Sequence, residues 1–557
     1  MPPLTLTFTV ELNELNPIIY PMSDTGNNSS QSAGSMLSDE LLDLCKSDSL
    51  SEEGLREIFE RHHNQLKNRL VGDYEFFFAA CCNERVTDGM IRYLLEYFPA
   101  AASAADDKGQ SPLHVACLNE NVTLNIVQLL IDAAPDSVRS VNKCTFKHPT
   151  SVHNDSFIIE GWMPLHYLCD NENVGAISAL EIVKLLLEKH PEAVRHADNA
   201  GNLPIHIALV CKSDPHFCRV LIEAYPGSER ITGDMGALPL HCACALNTVA
   251  TVEYMYKLYP DAIDHASAYG LHPIHFAILG MSRRDSPMDS VDIVNALLGC
   301  DPHVKLQKVN RMSLLDVACN FAYNDSKIET GVQIIKAIYD AHPEAIESNN
   351  IASNIHRFHQ QIQTFINGEL AYASQAEDLR QMTTPDEMGQ LPLHTVLQNN
   401  VTLGSIKLLL KGNPPALQTR DNSGTLPLHV ACEHHDSPSV VQYLIELDTT
   451  TLGTVDSQGN TVLHLACRGA KYETIAMILD KYDAVSVSKR NAHKKLPLDL
   501  LWESNEVQDR ESIEYMESVF SLLRAFPELL MNTGTQIQAA SAACPGQTVK
   551  KRKLGHE

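Results

Sequence analysis

No uninterrupted apolar run in the 557 residues approaches the ~20 needed to span a bilayer. The opening MPPLTLTFTVELNELNP has neither a basic n-region nor a long apolar stretch, so neither a secretory signal nor a membrane anchor is expected. Positive charge is also scarce, with 43 Lys and Arg against 69 Asp and Glu, a net charge of −26. Sequence-independent nucleic-acid binding needs cations to displace phosphate counterions, so the acidic body is a poor candidate for it. Catalytic signatures are missing too. There is no G-x-x-x-x-G-K-[ST], no strand-linked G-x-G-x-x-G, no G-x-S-x-G and no H-E-x-x-H. Cys144, His148 and His153 lack the paired Cys-x2-Cys half of known zinc spacings, so their segment reads as a loop. Residues 433–436, EHHD, have metal-ligating types, but adjacent helix positions point in different directions. No enzyme activity, cofactor or metal is expected.

Cysteine is present in quantity, fifteen in all, yet its placement argues against a disulfide scaffold. Cys81, Cys117, Cys169, Cys244, Cys319, Cys432 and Cys467 occupy one column of a repeated motif. Such a column behaves as small buried hydrophobes, which implies a reducing compartment, cytoplasmic or nuclear.

The motif itself is plain. Residues 423–432, SGTLPLHVAC, repeat GQSPLHVAC of 109–117. Alignment on the histidine gives His114, His166, His206, His241, His275, Asp316, His394, His429, His464 and Asp499, separated by 52, 40, 35, 34, 41, 78, 35, 35 and 35 residues. Phe78 in FFFAACCNERVT extends the series upstream, making about eleven units on a base period near 35. Each unit reads as two helices and a turn. Segments such as DNAG (198–201) and DNSG (421–424) supply a tight turn. The following Pro starts a helix at no cost, because its missing N–H would be unpaired there. A second helix such as IVKLLLEKHP (182–191) has apolar residues at i, i+3 and i+4, and stops at proline.

Turn–Pro–Leu–His–x–Ala followed by a V-x-x-L-L helix resembles the ankyrin repeat over about residues 74–530. YPDAI- and HPEAV-type segments stand where that family usually has Gly-Ala after the second helix. With GWMPLHYL and NAHKKLPLDLLWES, this variant resembles a large group of ankyrin-repeat proteins from diatoms. The resemblance implies an all-α solenoid of helix–turn–helix units with short hairpin loops. It also implies that His114, His166, His206, His241, His275, His394, His429 and His464 are structural, each imidazole joining turn backbone between repeats. No single helix pair offsets its own ordering entropy, so the array is stable only as a stack.

The regularity breaks in three places. About 17 extra residues near 144–160 form a loop insertion or a translated intron. After Asp316, residues 351–384 read as a joining helix, with Ile355, Phe358, Ile362, Phe365, Ile366 and Leu370 at helical spacing, either a hinge or part of the stack. The blocks flanking it are 74–350 and 385–530. At the ends, residues 1–49 read as mostly disordered, 50–73 as a capping helix, and 531–557 as a disordered tail. In that tail Lys550, Lys551, Arg552 and Lys553 resemble a nuclear localisation signal.

The expected function is a non-enzymatic scaffold or adaptor that binds another protein on a concave face. The alternative is a regulatory subunit or enzyme with its activity in the non-repeat segments. Framework columns are fixed by packing, so the resemblance leaves the turn tips and the solvent side of the first helix to choose a partner. In the three evenly spaced units these are Glu387, Met388, Gln390, Gln398 and Asn399; then Asn422, Ser423, Thr425, Glu433 and His434; then Ser457, Gln458, Asn460 and Arg468.

Overall fold

A computed structural model describes residues 33–62, 74–143 and 161–525, apart from short gaps at 212–213, 282–283, 285, 287, 302, 322, 324, 348, 382–384, 412–413, 482–484 and 508. The inserted segment 144–160 with Cys144, His148 and His153, and the basic cluster Lys550–Lys553, lie outside the described residues. The chain divides into two compact units, one of 1–338 with 348–363 and one of 339–347 with 364–557.

Each regular repeat is built alike. In the His429 repeat, the first helix is Pro427–His434 and the second Pro438–Leu447. Leu428, Ala431 and Cys432 of the first helix pack with Val440, Val441, Leu444 and Ile445 of the second, all buried. Within each unit the first helix of one repeat packs on the first helix of the next. Several second helices begin at a threonine whose hydroxyl accepts the N3 amide, as Thr87 does from Met90 and Thr123 from Ile126. The prolines that end the second helices begin 3-10 turns such as Pro191–Arg195 and Pro260–Asp264, which bury Ala193 and Val194, and Ala262 and Ile263. This is the structural meaning of the HPEAV and YPDAI segments: they replace a short connection with an apolar plug.

The thirteen described cysteines are all free. All seven in the motif column are buried, and burial pushes the thiols of Cys45, Cys117 and Cys242 up to about 12, far from any reactive thiolate.

Two sequence readings need correction. Residues 33–46, assigned to a mostly disordered start, form the helix Ala33–Lys46 and bury Leu37, Leu41 and Cys45 against the helix Glu52–Arg61 and the first helix of the Phe78 repeat, Glu75–Cys82. The capping element is thus a helix pair, and within the segment 50–73 only Glu52–Arg61 is helical among the described residues. The joining segment is not one helix either. Asn349–Asn354 is a short helix, Ile355–Arg357 a 3-10 turn, and the long helix begins at Gln360 and ends at Gln381. Asn349 falls 35 residues after Leu314, the start of the Asp316 repeat's first helix, and Asn349–Asn354 packs on that helix. Ile351, fully buried, takes the histidine column. The 78-residue gap therefore holds a degenerate repeat. The unit boundary runs through its second helix, and within the second unit Glu369 accepts from Thr402 and Ser405 at 2.8 and 2.6 Å. The long helix is part of that unit's stack rather than a free linker.

Candidate binding surface

The histidine column sets the geometry of the turns. In each motif the ring sits at the third helical position and its Nδ1 accepts the backbone N–H at the helix N-cap. The distances are 2.9 Å from Ser111 to His114, 3.1 Å from Leu203 to His206 and 3.1 Å from Leu426 to His429. An accepting Nδ1 fixes the neutral tautomer with the proton on Nε2. In six of the eight rings that proton is donated to a carbonyl of the next repeat, among them Trp162 from His114 (3.1 Å), Ile231 from His206 (3.0 Å), Leu271 from His241 (3.2 Å) and Lys495 from His464 (3.1 Å). The Nε2 atoms of His166 and His275 have no partner among the described residues, so these two do not make the bridge that the resemblance implies. Burial lowers the ring pKa to about 4 in His114, His206 and His275 and to about 3 in His166 and His241; His394, His429 and His464 are lowered by the same cause. Asp316 and Asp499 accept the same N-cap amides at 2.8 Å, but a carboxylate has no proton to hand on to the next turn.

A second column escaped the sequence reading. The Asn83 amide donates to the carbonyls of Cys45 and Ser47, Asn119 to those of Cys81 and Asn83, and Asn171 to those of Cys117 and Asn119. Each asparagine thus closes the C-terminus of the preceding first helix. Its signal was present as Asn five residues after the motif position. Arg284 does the same for Cys244 and Asn247 in the fifth histidine repeat.

The turn tips of the second unit form a continuous edge. Asp386, Asp421 and Asp456 each accept two backbone amides of their own turn, Asp421 from Ser423 at 2.9 Å and Thr425 at 2.8 Å. Successive tips are joined by backbone bonds, Asn422 to Met388 (3.0 Å), Ser457 to Ser423 (3.1 Å) and Ala492 to Gln458 (2.8 Å). The turns close through Gly389, Gly424 and Gly459 at φ 75°, 71° and 73°. In the first unit Asn142 and Trp162 exchange the same closing bonds, so the repeat frame is kept between these two residues.

Along the tip edge the expected partner-binding residues fall into three groups. Glu387, Met388, Gln398, Asn399, Asn422, Ser423, His434, Ser457 and Gln458 are exposed, Met388 by 66%. Gln390, Thr425, Glu433 and Arg468 are half-buried. Glu433 and Arg468 form a bidentate ion pair between neighbouring repeats, both contacts 2.5 Å, and the carboxylate raises the guanidinium pKa. They are therefore spoken for within the stack rather than free. Asn460 is a correction: it is 1% exposed, bonded to Asp456, and accepts from Asn491 at 2.8 Å, so it cannot meet a partner. The EHHD side chains diverge, since His435 is buried on the Val401 carbonyl while Asp436 pairs with Lys471. Among the described residues no group of three His, Cys, Asp or Glu is placed to hold a metal, and no helix is long and apolar enough to cross a membrane.

Residues 393–491 match a family model described as ankyrin repeats, in three copies, and residues 108–143 match one described as ankyrin repeat. No curated protein matches the chain. Ankyrin repeats are generally protein–protein interaction modules. The helix pairs, the histidine-bridged turns and these matches together show an all-α helical repeat solenoid that contains ankyrin repeats at 108–143 and 393–491.

Proposed function

We propose that the protein is a non-enzymatic scaffold or adaptor that holds a partner protein across the turn tips and first helices of the His394, His429 and His464 repeats. One observation carries this reading: three successive tips are fused by backbone hydrogen bonds into one edge, and their side chains, from Met388 to Gln458, face solvent. A rigid edge with exposed amide, hydroxyl and thioether groups loses little entropy on binding, which favours recognition of an extended polar segment. The alternative, an activity housed outside the repeats, is disfavoured because the helices of 33–61 pack on the first repeat, Asn349–Asn354 packs on the Asp316 repeat, and Glu369 of the long helix bonds Thr402 and Ser405 of the second unit. The buried thiol column supports a cytoplasmic or nuclear setting, and the YPDAI, HPEAV and GWMPLHYL segments support kinship with the diatom group.

Alanine at Glu387, Met388, Asn422, Ser423, Ser457 and Gln458 together tests the reading. Each is exposed, so folding is expected to change by less than about 0.5 kcal/mol per site. Quantitative mass spectrometry of proteins retained by wild type and variant should show a specific set lost at least tenfold, roughly what a few hot-spot residues supply. Retention of the same set at equal levels would contradict the assignment.

A further inference from the structure

The last hairpin of the second unit differs from the tips before it in two independent ways. At the glycine position of the three preceding turns stands Lys494, held at φ 64°. A side chain in the left-handed region is strained, and such strain persists where the residue serves something other than the turn. The second difference is charge. Within the second unit the other cations of this face are engaged: Arg468 with Glu433, Lys471 with Asp436, Lys495 with Glu503, and Arg420 on the carbonyls of Gly424 and Val455. Lys489, Arg490 and Lys494 are exposed, and none has an ion pair among the described residues; Arg490 donates to the Lys494 carbonyl as Arg420 does to that of Gly424, but makes no second bond like that of Arg420 to Val455. The three preceding tips, 386–390, 421–425 and 456–460, carry no lysine or arginine at all, so these cations set the last hairpin apart within the second unit.

We infer that the 489–495 hairpin is a docking point for an acidic, carboxylate-rich segment of a protein partner. This deepens the proposed scaffold function and rests on it. The hairpin continues the tip edge through the Ala492–Gln458 bond, so a segment lying on the edge meets Met388 at one end and the cations at the other. Complementary charge at the rim of such an interface speeds encounter and fixes direction. A net charge of −26 disfavours a long polyanion such as a nucleic acid, which favours a peptide whose charge is local.

The test uses the full chain and a fluorescent peptide of eight glutamates, with an eight-nucleotide oligothymidylate as comparison. The peptide should bind at low ionic strength and weaken as salt is raised. Lys489→Glu, Arg490→Glu and Lys494→Glu together should weaken it by about tenfold or more. Lys494→Gly separates charge from folding, because it should raise the unfolding midpoint while it lowers peptide affinity. Absence of peptide binding, unchanged affinity in the triple variant, or tighter binding of the oligonucleotide than of the peptide would each overturn the proposal. If partner capture survives the triple variant but not alanine along the tips, the hairpin assignment fails and the scaffold reading stands. If tip alanines are silent while the triple variant abolishes capture, the hairpin is confirmed and the wider edge is not the site.

Discussion

Acidification from pH 7 to pH 5 should unfold the first unit. Five of its histidines, His114, His166, His206, His241 and His275, are held neutral by burial, with pKa values near 3 to 4. In the unfolded chain each returns to about 6.5. The folded state therefore binds fewer protons, so its stability is fully present above pH 6.5 and is lost as the pH falls toward the folded values. By pH 5 each contributes a loss of roughly 2 kcal/mol, on the order of 10 kcal/mol for the five. That rivals the whole stability of a typical domain, about 5–15 kcal/mol. The structural reason is specific. A proton added at Nδ1 would confront the N-cap amide that now donates to it. Urea midpoints followed by far-UV circular dichroism should fall steeply between pH 6.5 and 5, with about five protons taken up on unfolding. A flat profile over that range would contradict the neutral, buried assignment. In the second unit His394, His429 and His464 are lowered by the same cause, so its stability should fall in the same direction.

Gly469→Ala should be the most damaging single small substitution on the second unit's first helices. A Cβ there would run into the carbonyl of Glu433 on the preceding repeat. Both sides of that contact are backbone, so no side chain can swing away, and neighbouring helices must separate. The expected cost is about 3 kcal/mol, at the upper end of overpacking penalties. Gly453→Ala is the control, because its Cβ would meet nothing within 4 Å. Equal denaturation midpoints for the two variants would refute the close approach.

Much of this architecture was legible because its chemistry repeats. Proline at the helix start, histidine at the third position and a buried cysteine three residues on recur wherever the packing recurs. The hidden repeat at 349–381 was not legible for the complementary reason. Ile351 fills the histidine column by burial instead of hydrogen bonding, and Asn349 stands where proline would begin the helix, so the motif vanished while the spacing survived. The helix 33–46 was masked by polar neighbours, although Leu37, Leu41 and Cys45 lie on one face. On the candidate surface, distance from the histidine located the tips but could not say which side chains were already used. Glu433 and Arg468 find each other across 35 residues, and Asn460 turns inward to Asn491. Pairings between neighbouring repeats are a property of the stack, and no single repeat encodes them.

The central claim, that the fused tip edge is the surface that holds a partner, is tested most directly by site-specific photo-crosslinking in cell extract. A photoreactive residue placed singly at Met388, Ser423 or Ser457 should crosslink to one common partner protein. The same residue at Glu446, exposed on a second helix, should not. Crosslinking of that partner from Glu446 but from none of the three tips would contradict the account.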